Sequence, residues 1–442
     1  MKFLTYDSSL SHVETSKGTM TLSKVFFPFF IEYLLLNLMS TINTIMLSGY
    51  SDEAVAAVGA ATQVVSMILT LYTVISNGSS IVINHNLGAG NEKAASDAAF
   101  TSLIFCASLS IILGLTLSAF AKPIMVFMNL EADVEALAVT YFRMMMTFSA
   151  FIAITSSISS ILRSYGRPKV AVAISLLRNI LIALFDYIVI YRPINVPVEG
   201  VFGIACASVF SNFIAMLLII IVLKKANLGL NFRDKGFNNL KIIKKILKVG
   251  VPSGISSVSY NVSQVVSTSI IAILGTVAIS SKIYVSNIVF YVYVLGMSLG
   301  ISTSLLVGWM VGAGKYEQAY KLNQQNLKIT LLINLIFSVT IYFFGTPLLS
   351  LFTSNEEIIA IGKNLMLVDI FVEIGRGFNH IEENSLKGAG DVVFPMIISI
   401  ISCWLMSVLF SYILGIKLGL GLTGCWIAFG MDEAFRGINI FL

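Results

Sequence analysis

Charged side chains are scarce in this chain. Asp, Glu, Lys and Arg make up 12% of its 442 residues, whereas hydrophobic residues make up 57%. Soluble globular domains carry about 25% charged residues, so the deficit excludes an ordinary soluble domain and indicates a protein embedded in lipid. Windows of about 20 mostly apolar residues recur along the whole length, and each is long enough to cross a hydrocarbon core of ~30 Å.

Residue types that carry enzymatic chemistry are also few. The chain has 3 histidines and 4 cysteines, and neither type occurs at a spacing typical of a metal site. No serine lies in a nucleophile elbow, and no Walker-type phosphate loop is present. Because the cysteines lie in apolar segments, we expect small buried side chains rather than disulfides. The sequence therefore predicts a protein that is not an enzyme and needs neither a cofactor nor a structural metal.

Proline is rare as well, yet four of the 8 prolines form two pairs with the same spacing. We call this spacing, which separates Pro28 from Pro252, the repeat offset. Glycine-containing turns recur at the same offset. The paired positions include Pro28 and Pro252, Pro123 and Pro347, Gly88 and Gly312, Gly90 and Gly314, and Gly166 and Gly390. A long internal repeat explains these matches better than chance does.

The apolar windows predict twelve spans, six in each copy of the repeat. They lie near 24–46, 54–78, 95–120, 134–162, 169–191, 202–223, 249–273, 282–308, 325–349, 360–386, 393–416 and 421–440. An offset that contains six crossings returns the chain to the same face of the membrane, so the copies are parallel and related by a pseudo-twofold axis along the membrane normal. We predict an all-α membrane protein with twelve transmembrane helices in two parallel six-helix lobes. The N-terminal lobe covers 1–223, a basic linker covers 224–248, and the C-terminal lobe covers 249–442.

Lysine and arginine are concentrated at one set of connections. The segment 224–248 carries eight basic residues against one acid, Asp234. The positive-inside rule therefore places this linker and both termini in the cytoplasm. Because predicted spans flank the linker closely on both sides, we expect no nucleic-acid partner. We expect a monomer in the lipid bilayer of the plasma membrane.

Two motifs carry a resemblance to a known family. The first is 87–90 (Leu-Gly-Ala-Gly), which returns at 311–314 as Val-Gly-Ala-Gly. The second is 386–391 (Leu-Lys-Gly-Ala-Gly-Asp), including Gly388 and Gly390, with a degenerate copy at 162–166. In such turns a glycine allows positive φ just past a helix end, and a cation complements the helix dipole.

From about residue 22 onward, this pattern resembles the MATE (multidrug and toxic compound extrusion) transporters. The resemblance implies two six-helix lobes that form a V with a central cavity. It also implies export of cationic amphiphiles in exchange for H⁺ or Na⁺.

The tenth predicted span carries a row of ionisable side chains. The row consists of Asp369, Glu373, Arg376, His380 and Glu383. Spacings of four and three residues place all five on one helix face, over about 21 Å. A charge at the bilayer centre costs at least ~2.5–3.5 kcal/mol, so this face must contact protein or water. We expect Asp369 and Glu373 to bind the coupling cation, with Asp369 the freer acid; the alternative is a Glu373–Arg376 ion pair that only holds the helix in place.

Other acids occur in the apolar segments. Glu32 follows Pro28 by one turn, and its counterpart at the repeat offset is Ser256. We expect Glu32 or Asp186 to contribute to coupling; the alternative is a buried ion pair with Arg178 or Arg143. Asp432 and Arg436 are spaced i, i+4, which predicts a pair within the twelfth span. We expect Glu382 and Glu383 to be solvated near the cytoplasmic end.

The sequence departs from the family at several positions. Where members often carry an acid late in the first span, this chain has Asn43, and where sodium-coupled members often have a glutamate it has Tyr260, Asn261 and Gln264. Our candidates for the substrate cavity are Asn43, Asn261, Gln264, Arg376 and His380.

Taken together, these features predict a secondary active antiporter that exports organic cations or drug-like amphiphiles in exchange for H⁺ or Na⁺ by alternating access. The alternative is a flippase for lipid-linked oligosaccharides with the same superfamily architecture. Such flippases commonly place several cations in the central cavity, whereas the candidate residues here are mainly acidic.

Overall fold

The computed structural model describes residues 12–15, 18–48, 50–128, 130–193, 196–226, 228 and 240–441. A short antiparallel hairpin, β1 (His12–Thr15) and β2 (Gly18–Thr21), precedes the helices. The rest is almost entirely helical, which confirms the predicted all-α class. Residues 227 and 229–239 of the predicted basic linker lie outside the described residues.

The first copy of the repeat contains eight helices. They are α1 (Leu22–Ser48), α2 (Asp52–Gly88), α3 (Glu92–Ala119), α4 (Ala121–Val126), α5 (Ala132–Thr147), α6 (Ser149–Ser164), α7 (Pro168–Tyr191) and α8 (Gly200–Lys225). The helices α5 and α6 meet at Phe148 with an angle of 47°, so together they fill the place of one predicted span.

The second copy contains seven helices. They are α9 (Leu240–Ala272), α10 (Thr276–Gly312), α11 (Tyr316–Phe343), α12 (Gly345–Ser350), α13 (Glu356–Ala389), α14 (Val393–Ser402) and α15 (Gly421–Phe441). α14 continues in wide π-helical turns over Cys403–Leu409 and Ser411–Lys417, so it and these turns fill the eleventh predicted span.

The repeat offset recurs in the helix bounds. Both ends of α10 follow those of α2 by this offset, and the same holds for α11 after α3 and for α12 after α4. The turns repeat too, because Gly90 and Gly314 both have φ of 72°, and Gly390, at the end of α13, has φ of 98°. Positive φ at these positions confirms the turn geometry predicted from the sequence.

Within the described part of the chain, eight helices are long and apolar enough to span a membrane, and the bent pair α5–α6 would be a ninth. The helices α9, α13 and α15 fill the seventh, tenth and twelfth predicted spans but are not among the eight. Their sequences are richer in polar and charged residues. These three helices are therefore less apolar than the other predicted spans.

The chain divides into two compact units, Ile31–Val251 and Met1–Phe30 together with Pro252–Leu442. The division falls inside α1 and α9, beside Pro28 and Pro252, which both lie within helices. We call the units the N-terminal unit and the C-terminal unit. The domain limits predicted at residues 223 and 249 stay a prediction.

Each unit has its own hydrophobic core. In the N-terminal unit the core includes Phe142 and Met146 of α5, and in the C-terminal unit it includes Val285 of α10 and Leu365 of α13. Helices approach closely where glycine replaces a larger side chain: a Cβ added at Gly388 of α13 would overlap the Ser304 backbone of α10. All four cysteines are free; Cys106, Cys403 and Cys425 are buried as predicted, whereas Cys206 is partly exposed.

Candidate functional site

A cavity of about 290 Å³ lies within the C-terminal unit, among α9, α10, α13 and α15. Its walls combine aromatic side chains with charged ones. They are Tyr260, Gln264, Lys282, Ser286, Val289, Phe290, Tyr293, Asp369, Val372, Arg376, Trp426, Phe429, Asp432 and Glu433. An apolar pocket with a few convergent polar groups is the usual form of a small-molecule site.

Asp369 lies in the wall of this cavity and is only 2% exposed. Its Oδ1 accepts a hydrogen bond from the Trp426 indole N–H of α15 at 2.9 Å. Among the described residues, no ion pair involves Asp369. The cavity therefore holds one carboxylate whose charge is balanced by no bonded cation.

Arg376, two turns further along α13, is held by two acids. It donates to the Glu373 carboxylate within α13, and its Nε donates to Glu433 Oε1 of α15 at 3.3 Å. Its guanidinium also lies over the Tyr293 ring of α10, 5.4 Å from the centroid, which favours the cation. The predicted Glu373–Arg376 pair is present, and Glu373 itself is fully buried.

Arg436 of α15 repeats this arrangement. Its Nη2 donates to Asp432 Oδ2 at 2.7 Å, which confirms the predicted i, i+4 pair, and it lies 3.2 Å from Glu433 Oε2. Its guanidinium lies 5.2 Å from the centroid of the Tyr260 ring. Glu433 thus bridges both arginines, and it also accepts from the Asn379 amide at 2.8 Å.

The charges of this cluster do not cancel. Four carboxylates, those of Asp369, Glu373, Asp432 and Glu433, face two guanidinium groups. Lys282 adds a third cation in the cavity wall, where its ammonium donates to the neutral Thr268 hydroxyl, so the acids outnumber the bases by one. Buried ions are stable only when paired and hydrogen-bonded, so a cluster with more acids than bases is suited to bind a proton or another cation.

Only some of the predicted cavity residues line this cavity. Gln264 and Arg376 do, whereas Asn261 is exposed and His380 stacks edge-to-face against Tyr293 at 5.2 Å without lining it. Asn43 belongs to the N-terminal unit. The spacing of apolar residues in α9 did not show which side of that helix faces the cavity.

In the N-terminal unit, Glu32 is 5% exposed, and both of its carboxylate oxygens accept from Arg163 Nη2 at 3.0 Å. Glu32 is thus in a buried ion pair, as the alternative had it, but the partner is Arg163 rather than Arg178 or Arg143. The two residues are 131 positions apart, so no helical spacing could have shown this pair.

Asp186 of α7 is also buried, and its Oδ1 has no hydrogen-bond partner. Within the described residues it forms no ion pair, so the predicted alternative of a pair with Arg178 or Arg143 was wrong for Asp186. Glu32 in the N-terminal unit and Glu373 in the C-terminal unit are thus paired acids, whereas Asp186 and Asp369 form no ion pair among the described residues.

The prediction that Glu382 and Glu383 are solvated was wrong. Glu382 is buried and accepts from the Asn323 amide of α11 at 2.9 Å, and Glu383 pairs with Lys387 at 2.5 Å. Side-chain spacing along α13 gave no sign that α11 covers this face. Glu433, Trp426 and Lys282 were also missed, because their roles depend on contacts between helices.

Comparison with known proteins identifies the family. A family model described as MatE matches residues 28–188 and 252–413, and the two matches begin at the paired prolines Pro28 and Pro252. The chain is 33% identical to "Uncharacterized transporter YisQ" of Bacillus subtilis (strain 168), over 96% of this chain and 93% of that protein. It is 27% identical to "Probable multidrug resistance protein NorM" of Thermotoga maritima, over 99% of this chain and 94% of that protein.

A solved structure shares the fold. It is described as an "outward-facing conformation of a multidrug resistance MATE family transporter of the MOP superfamily", with a TM-score of 0.88 and 23% identity, and the match covers 99% of this chain and 96% of that one. The resemblance predicted from the turn motifs is confirmed: the chain belongs to the MatE family of membrane transport proteins.

Proposed function

We propose that the protein is a secondary active antiporter that exports organic cations or cationic amphiphiles in exchange for protons. The observation that carries this proposal is the cavity of the C-terminal unit, where Asp369 lies among aromatic walls and has no ion-pair partner in the described part of the chain. The multidrug resistance name of the Thermotoga relative supports export of drug-like substrates.

The cavity walls fit an aromatic or amphiphilic cation. Five aromatic side chains line it, namely Tyr260, Phe290, Tyr293, Trp426 and Phe429. Aromatic faces attract cations by about 0.5–2 kcal/mol each, and the Asp369 carboxylate supplies a full negative charge. Tyr260 and Tyr293 already hold Arg436 and Arg376 in this way, so the substrate would contact the remaining rings and Asp369.

The partners of the acids favour H⁺ over Na⁺ as the coupling ion. Both Glu433 oxygens and one Glu373 oxygen already accept from arginine or amide N–H groups, and one Asp369 oxygen accepts from Trp426. A hard metal cation needs several oxygen ligands at once, whereas a proton needs one. Asp369 has one carboxylate oxygen left for it.

Exchange follows if a proton and the substrate compete for the same carboxylate. When Asp369 is ionised, it attracts the cationic substrate; when it is protonated, that attraction is lost and the substrate dissociates. The Trp426 N–H holds the carboxylate in one orientation in either state. Alternating access would then present this site to one side of the membrane at a time.

A flippase for lipid-linked oligosaccharides is the weaker candidate. A pyrophosphate group would need several unpaired cations, whereas Arg376 and Arg436 are both held by carboxylates, and Lys282 is a single cation of the cavity wall. The surplus of acids in the cavity would repel such an anion. The remaining expectations, a monomer in the plasma membrane with both termini in the cytoplasm, stay proposals.

The test uses purified protein in liposomes and a fluorescent organic cation. We expect uptake when a pH gradient is imposed and none when a Na⁺ gradient of equal size is imposed. Asp369→Asn should lower pH-driven exchange at least tenfold, while the matched amide substitution of exposed Glu317 should leave it unchanged. No transport of several cations under either gradient would refute the proposal, and transport under Na⁺ alone would refute the choice of ion.

A further inference from the structure

One face of α11 carries a row of buried polar side chains. The row consists of Asn323, Asn326, Thr330, Asn334 and Ser338, and none of the five is more than 5% exposed. Spacings of three and four residues keep them on one side of the helix over about 22 Å. We call these five residues the amide row.

The three asparagines of the amide row reach the neighbouring helices of the C-terminal unit. The amide of Asn334 donates to the Glu373 carbonyl oxygen of α13 at 2.9 Å, and that of Asn323 donates to Glu382 Oε2 at 2.9 Å. Between them, the amide of Asn326 donates to Thr303 Oγ1 of α10 at 2.9 Å. The row therefore lies along a seam formed by α10, α11 and α13.

Along this seam, each polar group uses only part of its hydrogen-bonding capacity. Several buried acceptors and one ring nitrogen have no hydrogen-bond partner among the residues that the structure describes. They are Oδ1 of Asn323, Asn326 and Asn334, Oγ of Ser338, Oε2 of Glu373, Oε1 of Glu382 and Nε2 of His380. Buried polar atoms are nearly always satisfied by protein or by ordered water, and a buried water bonds to two to four such groups.

The internal repeat shows that the scaffold does not require these amides. At the repeat offset the same face of α3 carries Ala99, Ser102, Cys106, Ser110 and Gly114, and Ser149 and Ile158 replace Glu373 and Glu382. These five α3 residues are buried like their counterparts. The equivalent helix α3 thus packs with small side chains, so packing alone does not explain the asparagines of α11.

Glycines leave room beside Asn334. A Cβ added at Gly296 of α10 would lie 3.4 Å from Asn334 Nδ2 and 3.5 Å from the His380 ring, and one at Gly377 of α13 would lie 3.3 Å from the same amide. A side chain at Gly296 would press on both Asn334 and His380, and one at Gly377 would press on Asn334. Both glycines therefore border Asn334, whose Oδ1 has no hydrogen-bond partner among the described residues.

We propose that the amide row holds a file of water molecules that carries protons between Glu373 and the end of the unit where Glu382 lies. The turns at Gly314 and Gly390 mark this end, which the positive-inside rule assigns to the cytoplasm. Each water forms an O–H bond with the proton it receives and breaks another O–H bond as it passes a proton on, so it is again a water molecule, and the proton ends on the Glu373 carboxylate. The proposal rests on the proposed function, because these protons are the coupling ions.

The proposed water file ends at Glu373, which is surrounded by other ionisable groups. They are Asp369 and Arg376 of α13, Glu433 of α15 and the phenol of Tyr293 on α10. Arg376 links Glu373 to the cavity, since its guanidinium contacts Glu373 and lines the cavity. The guanidinium has no acceptor and cannot pass the proton on. Protonation of Glu373 instead removes the charge of one of the two carboxylates that hold Arg376 in the cavity wall.

The first experiment measures pH-driven exchange and substrate binding for two matched pairs of variants. Asn326→Leu and Asn334→Leu fill the file with apolar side chains, whereas Asn326→Ser and Asn334→Ser introduce the residues found in α3. We expect the leucine variants to lower exchange at least tenfold while the Kd of the fluorescent cation changes less than twofold. The serine variants should keep at least half of the wild-type rate.

The outcomes separate this proposal from the proposed function. If wild-type exchange follows the pH gradient and both leucine variants match it, the water file is refuted and the antiporter proposal stands. If wild-type exchange follows Na⁺ alone, the antiporter proposal fails in its choice of ion, and proton conduction by the file fails with it.

The second experiment tests the water directly and needs no transport. A cryo-EM or crystal structure at a resolution that shows ordered water should place a water within hydrogen-bond distance of Oδ1 of Asn323, Asn326 and Asn334. A dry seam, with these oxygens bonded to protein groups after side-chain rearrangement, would overturn the proposal. The Asn334→Leu variant should lack the water beside His380.

Discussion

At the scale of single residues, Lys282 differs from the two arginines that share its surroundings. Each arginine is held by two carboxylates, whereas the Lys282 ammonium donates to a hydroxyl. Among the described residues, no carboxylate forms an ion pair with Lys282. A lysine in the wall of a cation site opposes substrate binding.

Lys282→Met should therefore bind a monovalent organic cation more tightly. Removing one like charge at a separation on the order of 10 Å, at an effective dielectric constant of about 20, is worth about 1 kcal/mol after partial screening, or about fivefold in Kd. Equilibrium binding of the fluorescent cation to purified protein measures this. Lys363→Met, an exposed position on the same unit, is the control; an equal gain in both variants would show a nonspecific effect of net charge.

Contacts between side chains of one helix were predictable from the sequence, whereas contacts between side chains of different helices were not. The spacing of α13 and α15 predicted the pairs Glu373–Arg376 and Asp432–Arg436. The bond from Trp426 to Asp369 spans 57 positions, and no periodicity links such residues. Helical spacing sets neighbours within about one turn, whereas tertiary packing sets the rest.

At the scale of elements, the two copies of one span differ in shape. In the first copy the helix is interrupted at Phe148, whereas its counterpart α13 runs unbroken over 34 residues. A continuous α13 keeps Asp369, Arg376 and Glu382 on one rigid helix, and Gly375, Gly377 and Gly388 of α13 let its neighbours approach closely. The sequence predicted the extent of these spans from apolar length, but it gave no sign of the interruption at Phe148 or of the short helices α4 and α12.

Gly388→Ala should disturb the contact between α13 and α10. The new Cβ would overlap the Ser304 carbonyl oxygen and lie 2.9 Å from its Cα, and a backbone neighbour cannot rotate away. Overpacking of this kind costs typically about 1–3 kcal/mol, so we expect a lower Tm in thermal unfolding of the detergent-solubilised protein. Gly59→Ala is the control, because a Cβ there meets nothing within 4 Å; equal Tm values in the two variants would contradict the expectation.

At the scale of the whole molecule, the helices and turns of the scaffold repeat, whereas the buried acidic side chains do not. The helix bounds and the turn glycines recur at the repeat offset, and this was predictable because turns and prolines depend on local backbone conformation. The buried acids do not repeat: Asp369 and Glu373 have Met145 and Ser149 as counterparts, and Glu32 has Ser256. A charged side chain inside the membrane costs free energy, so we expect such side chains only where they have a function.

This asymmetry predicts that proton coupling belongs to the C-terminal unit. Glu32 is held by Arg163, and Asp186 lines no part of the cavity described above, so we expect the double variant Glu32→Gln/Asp186→Asn to keep more than half of the wild-type pH-driven exchange per folded transporter. Its Tm should fall, because Arg163 loses a carboxylate partner in a mostly buried pair. Asp369→Asn should show the reverse, with exchange below a tenth of wild type and little change in Tm.

Measuring both quantities on the same preparations separates coupling from folding, since a variant that merely unfolds loses Tm and exchange together. Loss of exchange in the double variant, with exchange retained in Asp369→Asn, would place the coupling acid in the N-terminal unit instead. The acid there would then be Asp186, because its free Oδ1 can accept a proton without breaking an ion pair, whereas protonating Glu32 would cost its bonds to Arg163. In that case the coupling proton would bind in the N-terminal unit. The cavity of the C-terminal unit would then bind substrate without binding the coupling proton.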